Sequence, residues 1–585
     1  MEWIYDLGET KINGKRIVDH LEIRSGLSYW WITLLAEKCT WAKSPKIGVA
    51  IRLLAFDFMF RKMRVDRIQL VSCDRELASS FRLWCKNKNL RFYWDWRSAK
   101  QIRVSRRKKW LSSIPRPTQA LLWLLHYLFI RRNLRGVGIE AWRKAKGDVT
   151  FISYLFNLEP ESAQNGRYLS PYWTKLPDIL LEGGRNSRWL HFYTQDKTLP
   201  NAKKAAGLLE RFNKSCEGHQ IHTTVDSFMS LGVTLRTLCD FIRIYIRGHA
   251  IMPNLQKRLV TYSYLWPLVK GDLAESLSGI SAMKNMLDLN LFSKAIRALP
   301  KQVMGIYLQE NRPWEKIFLY EWKKYGHGKL IGVPHSSVRF WDLSYFSDPR
   351  TYSRKGKNIM PMPELVALNG HAMKKEFLKG KYPRHKITEV EALRYLHLGN
   401  PQKRVSALAM PEERPQLLVL GDYLEENNRK MLHLLELVLP SLNKVLRVTI
   451  KPHPARPIRP IEYPSLRLKI TSEPIDKLLN KHSAVYTSSM TSAAVDAYCT
   501  GIQVISFFRS DTLNLSPLRG IKGVRFVGTP IELKQALDKT FATSPRIHRK
   551  ASIFRYDKNI PRWKKLFAIN LRKKRKEKKH NLCVY

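Results

Sequence analysis

Two short polar motifs in the C-terminal third of the chain carry residue types that bind phosphate. The first is Lys451-Pro452-His453-Pro454, which follows a β-branched run and holds one imidazole between two prolines that fix the backbone. A histidine in this position can donate a hydrogen bond to a phosphate oxygen, and when protonated it can balance the charge of a departing nucleotide. The alternative is an ordinary turn whose imidazole bonds a backbone carbonyl.

The second motif is rich in hydroxyl groups. The run A-V-Y-T-S-S-M-T-S-A-A-V-D-A-Y predicts a strand that leads into Ser488, Ser489, Thr491 and Ser492 at the start of a helix. Hydroxyl and backbone N–H groups at a helix N-terminus favour an anion, although a single serine or threonine there is also a good helix cap. Together, the two motifs predict a phosphate site.

Other polar residues follow the predicted strands of the same region. In an open parallel sheet, ligands bind beyond the carboxyl ends of the strands. The positions to inspect are therefore Asn369-Gly370, Gly421-Asp422-Tyr423, 451–454 and 488–491. Lys451 either contributes to phosphate binding or is simply solvated.

The elements that must position these loops are short β-branched runs alternating with longer amphipathic segments, a pattern typical of parallel sheets with crossover helices. N-terminal strands are predicted at 68–72, 149–154, 189–193, 303–308 and 329–333, with a helix at 313–325. C-terminal strands are predicted at 364–368, 416–420, 447–451, 484–487, 503–506 and 524–527, with helices at 371–379, 424–439, 491–498 and 531–541. The sequence therefore predicts an α/β protein with two Rossmann-like domains that face a cleft.

The domain boundaries are predicted from a change of pattern. From 340 to 363 the periodicity disappears while Asp, Ser, Gly and Pro accumulate, which indicates a connection between domains. We expect an N-terminal α/β domain over 1–340 with a basic helical insertion near 100–135, a connection over 341–363, a C-terminal Rossmann-like domain over 364–545, and a crossover helix with a basic tail over 546–585.

Composition limits the function classes. The 102 Lys and Arg against 49 Asp and Glu give a formal charge of +53, which attracts polyanions. Nucleic acid, an anionic membrane and phosphorylated substrates all fit this charge, as does a general solubility bias. The seven cysteines have neither C-x-x-C nor zinc spacing, so we expect reduced thiols and no metal. The absence of G-x-G-x-x-G argues against a dinucleotide oxidoreductase.

The most apolar run, at 120–130, is too short to cross a bilayer, which takes about 20 residues. Basic residues at 103–109 and 131–135 flank it, as suits a helix lying on anionic lipid; the alternative is a buried core helix with solvated ends. The tail at 571–580 is a second basic block. Because the N-terminus has no secretory pattern, we expect a cytoplasmic protein, with peripheral attachment to the inner membrane left open.

The motifs also carry a family resemblance. K-P-H-P, followed by S-S-M-T-S-A-A-V-D-A and G-I-Q-V-I-S, resembles the C-terminal half of GT-B glycosyltransferases, in particular bacterial surface-carbohydrate groups that include sialyltransferases, Kdo transferases and CDP-glycerol polymerases. The run L-Q-E-N-R-P-W-E-K resembles the last βαβ unit of the N-terminal half in that superfamily, and the runs S-Y-W-W-I-T-L-L-A-E-K and V-A-L-N-G resemble a subgroup of surface-carbohydrate biosynthesis proteins. The resemblance implies that His453, Pro454, Ser488 and Ser489 contact a CMP moiety and its phosphate.

The resemblance implies an enzyme that transfers a sugar from a nucleotide-activated donor, in particular a CMP-linked acidic sugar, to a surface-polysaccharide or lipopolysaccharide acceptor such as capsule or O-antigen. The nucleotide sugar is a substrate, so no cofactor and no metal are expected. Further nucleotide contacts are expected from Asn369, Gly370, Asp422, Tyr423, Lys451 and Thr491, with Glu425 or Glu426 as alternatives for the base or ribose.

An inverting transferase needs a base in the acceptor domain to take the acceptor proton. Glu310 is the first candidate, because it follows a predicted strand; Glu315 and His335 come next. The alternative for Glu310 is a helix cap or an ion pair with Arg312. Four other functions stay open: a CDP-glycerol-type phosphotransferase, an NDP-sugar epimerase, a non-catalytic assembly protein on the same frame, and a basic nucleic-acid-binding protein.

Overall fold

The computed structural model describes residues 1–40, 42–97, 113–144, 148–259, 261–399, 415–454, 456–542 and 553–568. The basic residues at 103–109 and the tail at 571–580 lie outside these ranges, so the predictions that rest on them have no structural counterpart. In the described part of the chain, no helix combines the length and the apolar character that a membrane span requires.

The first 144 residues form a mainly helical layer with short strand pairs. Its elements are α1 Glu2–Glu9, β1 Lys11–Ile12, β2 Lys15–Arg16, α2 Ile17–His20, β3 Glu22–Arg24, β4 Leu27–Ser28, α3 Leu34–Glu37, α4 Pro45–Phe60, β5 Arg67–Val71, α5 Arg75–Asn87, β6 Arg91–Asp95, α6 Arg116–Arg131 and α7 Ile139–Lys144. The predicted strand at 68–72 is confirmed as β5, which pairs with β6 in a separate two-stranded sheet.

The first large sheet and its helices occupy 149–389. They are β7 Val149–Leu155, α8 Pro160–Gln164, α9 Leu176–Glu182, β8 Ser187–Tyr193, α10 Ala202–Ser215, β9 Gln220–Thr224, α11 Leu231–Arg258, α12 Trp266–Ser278, α13 Ile280–Ala298, β10 Met304–Leu308, α14 Pro313–Lys324, β11 Lys329–Val333, α15 Pro349–Ser353, β12 Leu365–Leu368, α16 His371–Lys379 and β13 Ile387–Glu389. Within the described ranges the strands run in the order β13-β12-β11-β10-β7-β8-β9 and pair in parallel.

The predicted domain boundary is wrong. The strand expected to open the second domain, β12, pairs in parallel with β11, with Ile331 opposite Leu365, and so belongs to the first sheet. The stretch from 341 to 363 is therefore a connection, which includes the short helix α15, between two neighbouring strands of one sheet. Loss of periodicity indicates only that the chain has left regular structure, because a loop inside a domain and a linker between domains have the same local composition.

The second sheet begins at residue 416. Its elements are β14 Gln416–Leu420, α17 Glu425–Val438, β15 Arg447–Lys451, β16 Lys469–Ile470, α18 Ile475–Leu479, β17 Ala484–Ser488, α19 Ala493–Cys499, β18 Gln503–Phe507, β19 Val524–Val527 and α20 Pro530–Ala542. Among the described residues the order is β16-β15-β14-β17-β18-β19, with parallel pairing throughout. The strands predicted from residue 416 onward are confirmed. They could be recognised in the sequence because both faces of this sheet are buried, and a strand buried on both faces is a near-continuous apolar run.

The chain then returns to the first domain. Helix α21, Pro561–Leu566, places Trp563 in the same apolar cluster as Phe151 and Trp189 of the first sheet. The Trp563 indole donates a hydrogen bond to the Glu391 carbonyl at 2.8 Å. The return segment thus packs the end of the chain against the first domain.

Candidate functional site

The carboxyl edges of the two sheets meet. Arg339, in the loop after β11, donates a hydrogen bond from Nη2 to the Met490 carbonyl at 3.0 Å, and Met490 lies in the loop after β17. A cavity of about 750 Å³ is lined from both sides, by Arg339 and Asn369 of the first domain and by Tyr498 and Arg519 of the second. Because ligands bind at the carboxyl ends of parallel strands, the contact brings two candidate binding edges together.

On the first edge, Glu310 is the centre of a polar cluster. The hydroxyl group of Tyr154, near the carboxyl end of β7, donates a hydrogen bond to Glu310 Oε2 at 3.2 Å, and Arg312 Nε donates one to the same oxygen at 3.3 Å. His335, after β11, has Nε2 at 3.7 Å from Glu310 Oε1. Strands β7, β10 and β11 are neighbours in the sheet, which is why residues from three distant segments converge.

The electrostatics of this cluster keep both proton acceptors available. Burial raises the pKa of Glu310, but nearby His335 and Arg312 and the hydrogen bonds outweigh burial, so the net pKa is lowered. Burial lowers the pKa of His335 to about 4. At neutral pH the carboxyl group of Glu310 is therefore ionised and the imidazole of His335 is neutral, and either can accept a proton.

Glu315 lies elsewhere in the same unit. Its carboxylate accepts hydrogen bonds from the backbone N–H groups of Glu310, Asn311 and Arg312, at 2.8, 2.9 and 2.9 Å. The side chain is buried at the N-terminus of α14, where it closes a capping box. These bonds make Glu315 the residue that shapes the loop carrying Glu310.

Arg312 connects the cluster to the N-terminal layer. Its Nη1 donates to Glu37 Oε1 at 2.9 Å and to Cys39 Sγ at 3.2 Å. Glu37 is buried and also binds Lys43 at 2.7 Å. Arg312 is half-buried and has two carboxylate partners, Glu37 and Glu310, which restrict its orientation, so it helps to fix the position of Glu310.

On the second edge, Asp422 joins the loops after β14 and β17. Its Oδ2 accepts hydrogen bonds from the Ser488 hydroxyl and, at 2.7 Å, from the Asn427 side chain. Its Oδ1 accepts from the Leu424 backbone N–H at 3.0 Å. Both Asp422 and Ser488 are almost fully buried, so their hydrogen bond holds the loops after β14 and β17 together below the protein surface.

His453 lies on the other side of Asp422, after β15. Its ring packs edge to face with Tyr423, with centroids 5.6 Å apart. Burial lowers the pKa of His453, Asp422 raises it and Arg456 lowers it, with a net decrease. Arg456 Nε donates a hydrogen bond to the Tyr423 carbonyl at 3.0 Å, and the backbones of Arg456 and His453 form an isolated antiparallel β-bridge. An imidazole, a guanidinium and a phenol ring thus share one corner.

The remaining hydroxyl residues follow β17. The Ser488 hydroxyl also accepts a hydrogen bond from the Met490 backbone at 3.0 Å, and Thr491 Oγ1 accepts from the Ala493 backbone at 3.3 Å. Ser489 lines a cavity of about 270 Å³ together with Arg52 of α4 and Arg509. Helix α19 begins at Ala493 and is only seven residues long.

Three predicted contacts lie away from this corner. Lys451 Nζ donates to the Glu473 carbonyl at 2.5 Å and so faces the outer edge of the sheet. Asn369 and Gly370 follow β12 of the first sheet, and the Asn369 side chain donates to the Ser336 carbonyl at 3.4 Å. A Cβ on Gly370 would lie 2.2 Å from the Ile553 carbonyl oxygen, so this glycine accommodates the returning chain.

Sequence reasoning missed several members of the site. Tyr154 lies at the carboxyl end of β7 and Arg339 in the loop after β11, whereas Tyr172 lies between α8 and α9, away from any strand end. Tyr172 packs edge to face on His335, with centroids 4.8 Å apart. The usable signal was position at a strand end. Which strand ends are neighbours depends on the order of strands in the sheet, and the sequence pattern does not contain that order.

Comparison with known proteins finds only distant similarities to solved structures. No family model matches it, and no curated protein matches it. Solved structures that it is similar to include Acinetobacter baumannii MurG, at 10% identity and TM-score 0.36 over 69% of this chain and 96% of that one. They also include the UDP-GlcNAc 2-epimerase from Methanocaldococcus jannaschii, at 10% identity and TM-score 0.36 over 72% and 99%.

A third is Arabidopsis thaliana UGT89C1 complexed with UDP-L-rhamnose, at 12% identity and TM-score 0.35 over 69% of this chain and 91% of that one. At such scores the likeness adds nothing to what the two sheets themselves show. Function therefore depends on the geometry of the two facing edges.

Proposed function

We propose that the protein is a glycosyltransferase that moves a sugar from a nucleotide-activated donor to a glycan acceptor. The observation that carries the proposal is the meeting of two carboxyl edges, one with an ionised carboxylate and the other with an imidazole beside a hydroxyl cluster. Glu310 takes the proton of the attacking hydroxyl, whose oxygen forms the new bond to the anomeric carbon. The bond from that carbon to the nucleotide phosphate breaks at the same time, and the phosphate leaves with the electron pair.

The donor side is proposed at the second edge. His453 and Arg456 meet the charge of the leaving phosphate, Ser489 and Thr491 supply hydroxyl groups, and Tyr423 offers a ring face to the base. Asp422 and Ser488 hold these loops in place. Because side-chain cations and hydroxyl groups can stabilise the leaving group, we propose a metal-independent reaction with a CMP-linked acidic sugar as donor.

The acceptor side is proposed in the larger cavity between the domains. Lys375, Lys379, Arg519 and Lys522 line it, which suits an anionic glycan such as a surface polysaccharide or lipopolysaccharide. Three buried polar atoms at this cavity have no hydrogen-bond partner within the described chain: Ser337 Oγ, Arg339 Nε and Asn369 Oδ1. Unpaired buried polar atoms are costly, and hydroxyl groups of a bound glycan would pair them.

The same frame supports two other reactions of nucleotide-linked substrates, a CDP-glycerol-type phosphotransfer and an NDP-sugar epimerisation. A nucleic-acid-binding protein is the alternative from another class, and its support is the charge of +53. Glu310 favours transfer over simple binding, because its half-buried, ionised carboxylate repels a polyanion but can accept a proton.

Thermal-shift measurements on the purified protein test the proposal. CMP, CDP, UDP and GDP are compared with single-stranded and duplex oligonucleotides, since a ligand that binds the native state raises its Tm. A rise specific for one nucleotide, preserved in EDTA, is expected. A response to oligonucleotides alone that disappears in high salt would overturn the proposal in favour of nucleic-acid binding.

A further inference from the structure

Helix α11 exposes a continuous row of aliphatic side chains. Leu231, Leu235, Ile242 and Ile246 are 72%, 54%, 55% and 61% exposed. Their spacing of four, seven and four residues places them on one face of the helix. Single exposed aliphatic residues are ordinary on protein surfaces, whereas a contiguous apolar stripe indicates a surface that binds something.

The opposite face of the same helix is firmly anchored. Phe241 and Ile244 are buried in the main apolar cluster of the first domain. Asp240 forms an ion pair with Arg24 at 2.5 Å and accepts a hydrogen bond from the Asn290 side chain at 3.0 Å. Because these buried contacts hold one face of α11 against the domain, the aliphatic row stays on the exposed face of the helix.

The charges beside the row are basic. Arg236 and Arg243 lie on one flank and are exposed, whereas Asp240, the one acidic residue of α11, lies on the buried face. An apolar stripe with a cationic border is the pattern of a helix lying in the headgroup region of an anionic bilayer. The arginine side chains would meet lipid phosphates while the aliphatic groups enter the acyl boundary.

A second helix, α6, also exposes aliphatic and aromatic side chains. Leu121, Leu125 and Phe129 of α6 are 43%, 65% and 63% exposed and also lie on one face. Tyr127 and Arg131 of α6 both bond Asp226, in the turn that precedes α11. The C-terminal end of α6 therefore lies beside the N-terminal end of α11.

We propose that α11, together with α6, docks the protein on the surface of an anionic phospholipid membrane. A second copy of the chain is a poorer occupant, because a symmetric contact would bring the arginine border of one copy against that of the other in a protein of charge +53. An anionic bilayer surface offers an apolar layer for the aliphatic stripe and phosphate groups for the arginine side chains beside it. This proposal is independent of the glycosyl-transfer proposal and is tested without any sugar substrate.

Vesicle co-sedimentation of the full chain tests it. Binding is compared on phosphatidylcholine vesicles with and without phosphatidylglycerol, for the wild type, an L235E/I242E variant and an R236S/R243S variant. The double glutamate variant should lose roughly tenfold or more in affinity for the anionic vesicles, and the serine variant about fivefold per arginine removed. L437E on α17, where the leucine is 55% exposed, is the matched control and should bind like the wild type.

Circular dichroism and thermal unfolding establish that each variant is folded, as expected for substitutions at exposed positions. Equal binding of the wild type and L235E/I242E to anionic vesicles would overturn the proposal, since other basic segments would then carry the binding. Equal binding to neutral and anionic vesicles would also overturn it. Light scattering that shows a dimer converted to a monomer by L235E/I242E, without vesicle binding, would assign the stripe to self-association instead.

Discussion

At the scale of single residues, environment separates carboxylates that look alike in the sequence. Glu310 and Glu315 are five residues apart in one βαβ unit, and both were candidates for the base. Glu315 is saturated by three backbone N–H groups, whereas Glu310 receives only side-chain donors and lies at the sheet edge. This difference supports the proposal that Glu310 is the base and that Glu315 supports its loop.

The E310Q variant tests this assignment. Glutamine keeps the size of the side chain but cannot take up a proton, so turnover should fall by about 100-fold or more while nucleotide affinity is unchanged. Steady-state kinetics and calorimetric titration with the nucleotide are the measurements. E182Q, at an exposed position on α9, is the control and should be fully active. Wild-type turnover in E310Q would move the base to another residue, with His335 next.

A buried histidine pair in the first domain predicts acid sensitivity. His191 Nε2 lies 3.1 Å from His222 Nδ1, and burial lowers the pKa of His191 to about 3. Burial, with His191 beside it, lowers the pKa of His222 as well. Because the unfolded chain titrates near pH 6.5, it binds more protons than the native state between about pH 3 and 6.5. Stability should be full above that window and fall as the pH drops through it.

Denaturant unfolding at a series of pH values measures this effect. The contribution of His191 is about 1.4 kcal/mol per pH unit below 6.5, so H191Q should flatten the acid limb of the stability curve. H249Q, at an exposed histidine of α11, should leave the limb unchanged. An acid limb of the same slope in the wild type and H191Q would show that other groups control acid unfolding.

At the scale of elements, the order of strands decides which loops meet. Strand β14 lies between β15 and β17, so Asp422 stands between the His453 and Ser488 loops. The loops after β14 and β15 approach closely at Gly421, where an added Cβ would lie 2.9 Å from the His453 backbone nitrogen and 3.1 Å from Pro452 Cα. A backbone atom cannot move aside as a flexible side chain can, so only glycine fits there.

The G421A variant should displace the His453 loop and weaken nucleotide affinity by about tenfold, equivalent to about 1.4 kcal/mol. G207A carries the same substitution in α10, where an added Cβ meets nothing within 4 Å. It should raise stability by up to about 1 kcal/mol, because alanine favours the helix, and should leave nucleotide binding intact. Nucleotide titration and thermal unfolding of both variants are the measurements. Unchanged affinity in G421A would remove the His453 loop from the donor site.

At the scale of the whole molecule, the first domain is built from two separate segments of the chain, one before and one after the second sheet. After the second sheet it returns through residues 553–568, and Trp563 is about 1% exposed within the core of the first domain. Gly370 makes room for the same return segment. The stability of the first domain therefore depends on residues that follow the second domain in the sequence.

The W563A variant should lower the free energy of unfolding by about 3–5 kcal/mol, as expected for loss of a buried tryptophan. W96A is the matched control; its side chain is 49% exposed and stacks mainly on Trp94 and Arg75, so about 1 kcal/mol or less is expected. Denaturant unfolding measures both. Similar losses in the two variants would show that the return segment does not stabilise the first domain.

The sequence by itself determined most strands of both sheets and the polar residues that follow them, but it did not predict β9, β13 or β16. Periodicity and residue type are local properties, so the strands at 416–420, 447–451 and 524–527 were predicted to the residue. Only the tertiary structure decided that β12 and β13 join the first sheet, that Asn369 and Gly370 lie away from His453, and that Glu315 supports a loop. Strand pairing and hydrogen bonding join residues far apart in the chain, and a strand's own pattern of apolar residues is the same whichever neighbour it pairs with.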